Sequence, residues 1–127
     1  MKAKTIGYWI CTVLIALLFL SGGIMQVMRS PTAIAGITHL GYPIHFAVLL
    51  GVWKILGAIV ILLPGFALVK EWAYAGIFID LTGASVAHTA AGDGAGNIIA
   101  PLVFTVVVVA SWALRPASRT LTRSSAA

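Results

Sequence analysis

Charged residues are scarce in this chain. Only 9% of its 127 residues are charged, whereas 61% are hydrophobic. Soluble domains carry about 25% charged residues, so this chain has too little polar surface to form a water-soluble globule. Its length is that of one domain. We therefore expect a single membrane domain whose core consists of helix–helix contacts in lipid.

Cysteine and catalytic motifs are also missing. Cys11 is the only cysteine, which excludes an intramolecular disulfide and a C-x-x-C redox motif. There is no nucleophile–base set and no pair of catalytic carboxylates. Gly92-Asp93-Gly94 has no β-strand context and is interpreted as a turn. We therefore predict no catalytic residue, no metal site and no resident cofactor; a non-enzymatic role is favoured, and an enzymatic role stays open.

Long apolar runs make up most of the sequence. Each run is continuous and lacks the alternation of a barrel strand, so membrane-spanning α-helices are predicted. Pro101 is placed in the first turn of the last run, where a missing N–H costs little. The four predicted spans are residues 6–28, 44–63, 72–91 and 98–114.

The basic residues predict the orientation of these spans. The net charge of +5 is concentrated near the chain ends and does not form the basic face of a nucleic-acid-binding protein. If both termini lie on one side, the opposite side holds only Arg29. Cytoplasmic flanks are enriched in lysine and arginine, so both termini are predicted to be cytoplasmic. The basic residues on that side are Lys2, Lys4, Lys70, Arg115, Arg119 and Arg123.

The predicted fold is therefore an all-α, up-down-up-down four-helix bundle in the membrane. Residues 1–116 are assigned to this domain, and residues 117–127 to a basic polar tail that we expect to be disordered. The expected partners are the lipid bilayer, other membrane subunits or further copies of the chain, and not nucleic acid.

Two charged residues, Lys54 and Asp80, lie inside predicted spans. Counting about 1.5 Å per residue along antiparallel helices puts both at the same depth. Because an unpaired charge is costly there, we predict an ion pair between them. The pair either fixes the register of two helices or handles protons or anions. Small residues around Asp80 favour close packing of this helix: Gly76, Gly83, Ala84, Ala87 and Ala91.

A second polar group is predicted near the outer surface. Gln26, His45 and His88 lie near the outer ends of three spans and would line a shallow pocket there. Such a pocket could bind a quinone headgroup, hold a metal or relay protons. Ordinary interfacial hydrogen bonding is the simpler interpretation, because the spacing is not that of a metal motif. His39 is interpreted as a loop residue between residues 29 and 43.

Several segments of the sequence together carry a family resemblance. They are His39-Leu40-Gly41-Tyr42-Pro43, Gly51-Val52-Trp53-Lys54-Ile55-Leu56-Gly57, Pro64-Gly65, Lys70-Glu71-Trp72-Ala73-Tyr74-Ala75-Gly76, Asp80-Leu81-Thr82-Gly83-Ala84, His88 and Ala110-Ser111-Trp112-Ala113-Leu114-Arg115-Pro116. Together these segments resemble the DoxX-like family of small bacterial membrane proteins. The resemblance implies a four-helix membrane bundle in the bacterial inner (plasma) membrane. The wider group includes proteins similar to a subunit of a thiosulfate–quinone oxidoreductase and others linked to redox-stress complexes.

Three functions are therefore considered. The first is a non-catalytic membrane subunit or accessory protein, for instance of a redox complex. The second is a small proton-coupled transporter that uses Asp80, although Lys54 is predicted at the same depth. The third is a subunit of an oxidoreductase that binds a quinone or a lipid in the outer pocket.

Overall fold

Five α-helices and one short 3₁₀ turn account for most of residues 2–121, which the computed structural model describes. No β-strand occurs in that range, so the all-α prediction is confirmed. Arg123 and the rest of the predicted tail beyond residue 121 lie outside the described residues. The elements are α1 (Lys2–Val27), α2 (Pro31–His39), α3 (Ile44–Leu62), α4 (Ala67–Ala90), α5 (Ala95–Ala113) and the 3₁₀ turn Ala117–Arg119.

Three of these helices, α1, α3 and α5, are long and apolar enough to cross a membrane. They correspond to the first, second and fourth predicted spans. The helix in the place of the third predicted span, α4, is 24 residues long and carries Lys70, Glu71 and Asp80. These charges lower its hydropathy, so α4 is not among the helices identified by length and composition.

Two predicted helix boundaries differ from the structure. The fourth helix begins at Ala67 rather than near Trp72, directly after Phe66, which has a left-handed φ of 54°. The charges of Lys70 and Glu71 suggested a helix flank, but both residues lie in the first turns of α4. The fifth helix begins at Ala95, so Pro101 lies inside the helix and not in its first turn.

The segment predicted to be a loop, residues 29–43, contains a helix. Pro31 occupies the first turn of α2, where its fixed φ suits a helix and its missing N–H needs no partner. The chain turns sharply into this helix at Arg29, whose φ is 56°. The loop interpretation of His39 was therefore wrong, because this residue ends α2.

The tightest helix contact joins α1 to α3. A Cβ added to Gly23 would lie 2.8 Å from the Gly51 carbonyl oxygen, and one added to Gly51 would lie 2.7 Å from the Gly23 carbonyl oxygen. Side chains cannot occupy such positions, so these two glycines allow the backbones to meet. Further contacts join α1 to α5, α5 to α4 and α4 to α3.

The core between the four long helices combines apolar side chains with a chain of hydroxyl groups. Thr12 Oγ1 and Ser111 Oγ are 2.6 Å apart, and Tyr74 Oη is 2.8 Å from the same serine oxygen. These bonds connect α1, α5 and α4 in the interior and satisfy their polar groups. The apolar core residues are Ile15, Ala16, Phe19, Ala58, Ile61, Ile77, Leu81 and Val108.

Basic side chains close the end of the molecule where α3 stops and α4 starts. The fully buried Lys70 donates hydrogen bonds from Nζ to the Val60 carbonyl oxygen at 2.7 Å and to the Leu63 carbonyl oxygen. The Arg119 guanidinium donates to the Leu63 carbonyl oxygen at 3.1 Å. These donors satisfy carbonyls that a helix end leaves without partners. Of the predicted tail, at least Arg119 is therefore packed against the helices.

Candidate functional site

A cavity lies between α3 and α4 and consists of two adjoining lobes. One lobe has a volume of about 420 Å³ and the other about 500 Å³. Leu50, Lys54, Gly76 and Asp80 line both lobes and mark the place where they meet. We call the whole space the α3–α4 cavity. Volumes of a few hundred Å³ are typical of small-molecule sites.

The first lobe is lined almost entirely by apolar side chains. Phe19 contributes from α1, Trp53 from α3, and Trp72 and Ile77 from α4. Apart from the two charged residues at the junction, every lining residue is apolar, aromatic or glycine. This lobe, the apolar lobe, can accept hydrocarbon away from the two charged residues.

The second lobe extends from the junction to α2; its lining is mostly apolar, and we call it the polar lobe because it holds more polar side chains than the first. It is bordered by Thr32 and Gly36 of α2, by Gln26 of α1 and by His88 near the end of α4. Gln26 is only 6% exposed, and its Oε1 is buried without a hydrogen-bond partner in the described chain. A buried acceptor left in this state costs about 1–3 kcal/mol.

Lys54 and Asp80 lie on the same cavity but do not form the predicted ion pair. Salt bridges within residues 2–121 join other residues, so the Lys54 and Asp80 charged atoms are more than 4.0 Å apart. Lys54 Nζ instead lies 5.6 Å from the centroid of the Phe19 ring. Neither charged group has a hydrogen-bond partner in that range of the chain. The common depth that the sequence indicated brings the two residues to one cavity without direct contact.

The small residues of α4 explain this separation. Close packing was predicted around Asp80, but a Cβ added to Gly76 or Gly83 would meet nothing within 4 Å. These glycines, with Ala84 and Ala87, line the cavity. The packing prediction was therefore wrong at these positions: their small side chains leave space for the cavity and do not bring two helices together.

The predicted outer pocket forms only in part. Gln26 and His88 both line the polar lobe. His45 does not line it, because it lies exposed in the first turn of α3. Residues 2–121 contain no group of three side chains able to hold a metal ion.

Asp93 joins α2 to the end of α4 through a contact that was not predicted from the sequence. Its Oδ1 is 2.6 Å from His39 Nε2, and its Oδ2 is 2.5 Å from His88 Nδ1. Hydrogen bonds from His88 and from His39 hold the pKa of Asp93 below its ordinary value of 3.8. One signal was available in the sequence, since Asp93 is one of two acidic residues that fall outside the predicted spans, the other being Glu71.

Removing the Asp93 carboxylate is expected to loosen α2. Because its pKa is lower in the folded than in the unfolded state, its stabilising contribution is present above pH 3.8 and is lost as the pH falls through the folded value. Hydrogen exchange of α2 amides, corrected for intrinsic rates, should accelerate severalfold in Asp93→Ala at pH 7. In wild type, the exchange of these amides should accelerate only in acid. His45→Ala is the control, and equal α2 protection in Asp93→Ala and wild type would show that this contact does not hold α2.

Comparison with known proteins identifies the family. A sequence model described as the DoxX-like family matches residues 10–111. No curated protein and no solved structure matches the chain. The matched region includes all of α2, α3 and α4, and with them both charged residues of the cavity. The chain therefore belongs to the DoxX-like family, as its sequence motifs predicted.

Proposed function

We propose that this member of the DoxX-like family is a four-span membrane protein that binds an amphipathic membrane lipid in the α3–α4 cavity. In this proposal α4 is a span despite its charges, because Asp80 faces the cavity and need not contact hydrocarbon. Both termini are cytoplasmic, in the plasma membrane of a bacterium. The excess of lysine and arginine on that side supports this orientation.

One observation carries the proposal: an apolar lobe and a polar lobe meet inside a single cavity. An amphipathic molecule has the same division, with hydrocarbon at one end and polar groups at the other. The Phe19 and Trp53 walls suit the hydrocarbon, whereas Gln26 and the two charged residues suit the polar end. Such pockets, mostly apolar with a few polar groups, are typical of ligand sites.

Within this proposal the chain is a non-catalytic subunit or accessory protein, without a chemical step of its own. The described residues provide binding groups in the cavity and hydrogen-bonded groups at the two ends of the helices. A quinone is the alternative occupant, since its ring carbonyls accept hydrogen bonds and its tail is apolar. Phospholipid is favoured because the wall carries two charges, Lys54 and Asp80, which a charged headgroup can complement, whereas quinone carbonyls are uncharged and only accept hydrogen bonds.

Filling the cavity is expected to abolish lipid binding without unfolding the protein. Gly76 lines both lobes and has room for a side chain, so Gly76→Leu should occupy the junction. Leucine also favours helix over glycine by roughly 0.5–1 kcal/mol. Thermal unfolding in detergent should show saturable stabilisation of wild type by added phospholipid, about 2.7 kcal/mol at a hundredfold excess over Kd. The variant should show none.

Gly96→Leu is the matched control, because Gly96 lies in α5, has open space around it and does not line the cavity. It should respond to phospholipid as wild type does. Equal stabilisation of Gly76→Leu would place the lipid elsewhere on the protein and contradict the proposal. Stabilisation by a short-chain quinone alone would favour the quinone alternative.

A further inference from the structure

Two charged groups on the wall of the α3–α4 cavity have no hydrogen-bond or salt-bridge partner within residues 2–121. They are the Lys54 ammonium and the Asp80 carboxylate. The distance between the two charges exceeds 4.0 Å, so they do not neutralise each other by contact. A third chemical group can therefore engage both.

The chemistry of these groups defines what would complement them. The Lys54 ammonium only donates and carries a positive charge, so it needs an anion. The Asp80 carboxylate only accepts and carries a negative charge, so it needs a cation with N–H donors. The complement of the site is therefore one anionic group beside one cationic group that has hydrogen-bond donors, attached to a hydrocarbon part for the apolar lobe.

From this complement we infer that the cavity selects phospholipids whose headgroup joins a phosphate to a primary ammonium, the phosphatidylethanolamine class. The inference rests on the proposed function and adds the identity of the headgroup. The phosphate lies at Lys54, the ammonium lies at Asp80, and the acyl chains enter the apolar lobe. Charge-assisted hydrogen bonds of this kind are about twice as strong as neutral ones.

Two related headgroups lack part of this match. A choline headgroup carries the same charges, but its quaternary ammonium has no N–H to donate to the Asp80 carboxylate. A glycerol headgroup has hydroxyl donors but no cation for Asp80. Inside a cavity of low dielectric, an unmatched charge or acceptor is costly, so both should bind more weakly than the ethanolamine headgroup.

The orientation of the bound lipid also follows from the two lobes. The polar lobe reaches α2, and the apolar lobe extends from the charged residues toward Trp72 in the first turns of α4. A headgroup in the polar lobe therefore points toward α2, and its chains point toward the end of the molecule that holds Lys70. With both termini cytoplasmic, this is the orientation of a lipid from the outer leaflet.

Competition among headgroups tests the inference on the full chain in detergent. A phosphatidylethanolamine carrying a fluorophore on its acyl chain is bound first, and unlabelled lipids with identical short chains then displace it. We expect the ethanolamine lipid to displace the probe at a concentration at least tenfold lower than the choline or glycerol lipid requires. Free phosphoethanolamine should displace little, because it has no hydrocarbon for the apolar lobe.

Variants assign the selectivity to individual groups. Asp80→Asn should reduce the preference for ethanolamine over choline, whereas Lys54→Met should weaken all the phosphate-bearing lipids alike. Asp80→Glu keeps the carboxylate and should retain the preference. Thr105→Val is the control, since Thr105 bonds to the Pro101 carbonyl oxygen and lies away from the cavity.

The outcomes separate the inference from the proposed function. If wild type binds the probe and the three headgroups compete equally, headgroup selection is refuted while lipid binding stands. If free phosphoethanolamine displaces the probe as well as the lipid does, the site takes a soluble ligand and the lipid assignment fails. If the probe does not bind at all, the proposed function itself is overturned.

Discussion

Gly51→Ala is expected to force α1 and α3 apart and to lower the free energy of unfolding by about 1–3 kcal/mol, the usual cost of overpacking. The added Cβ would lie 2.7 Å from the Gly23 carbonyl oxygen and 2.9 Å from Gln26 Cβ. The first of these atoms belongs to the backbone and cannot rotate away. The two helices must therefore shift, and the wall of the polar lobe at Gln26 shifts with them.

Unfolding in mixed detergent micelles, followed by circular dichroism, measures this effect. Gly57→Ala is the matched control on the same helix, because its added Cβ would come no closer than 3.9 Å to the Ile77 side chain. The control should be as stable as wild type or more stable, since alanine favours helix over glycine. Equal stability of Gly51→Ala and Gly57→Ala would show that α1 and α3 do not meet at these glycines.

Lys70→Ala is expected to destabilise the junction between α3 and α4. The Lys70 side chain is fully buried and donates to the Val60 and Leu63 carbonyl oxygens. Leu63 keeps a second donor in Arg119, but the structure gives the Val60 carbonyl no comparable replacement. The unsatisfied carbonyl should cost about 1–3 kcal/mol, with a further loss from the space that the side chain vacates.

A comparison of single and double variants of Lys70 and Arg119 tests whether these side chains stabilise the end of α3 through a shared carbonyl group. Because both donate to the Leu63 carbonyl oxygen, the double variant Lys70→Ala/Arg119→Ala should lose more stability than the two single variants together. Lys4→Ala removes the same charge from an exposed position in the first turn of α1 and should change stability little. Additive single effects, or a loss in Lys4→Ala as large as in Lys70→Ala, would contradict a role of Lys70 at the end of α3.

Hydropathy predicted the long helices well, because their length and apolar composition are local properties. It missed α2, whose nine residues are too few to span a membrane. It also placed the start of α4 too late, since Lys70 was interpreted as an interfacial residue. In the fold this lysine is buried because two carbonyl groups at the end of α3 accept its hydrogen bonds, which the sequence of α4 alone does not reveal.

The sequence predicted that the two charged residues of the site lie at the same depth, but not whether they touch. Counting residues brought Lys54 and Asp80 to one level, yet their separation depends on how far apart α3 and α4 pack. The role of each helix glycine was ambiguous for the same reason, because it depends on how close the neighbouring helix lies. Gly51 lies against a backbone, whereas Gly76 faces open space, and the two roles look alike in a sequence.

Contacts between distant segments were beyond a single sequence. The bond between His39 and Asp93 joins residues separated by 54 positions. No periodicity or motif connects them, because their proximity results from the packing of α2 over the ends of the longer helices. The same holds for Gln26, whose place on the wall of the polar lobe depends on how α1, α2 and α4 pack.

Native mass spectrometry of the protein released from detergent tests lipid binding in the α3–α4 cavity most directly. We predict that wild type and Gly96→Leu each retain one phospholipid per chain, of the ethanolamine class when membrane lipids compete. The Gly76→Leu variant should appear without it. A wild-type spectrum that contains only the bare chain, or an adduct of equal abundance in Gly76→Leu, would contradict this account of the cavity.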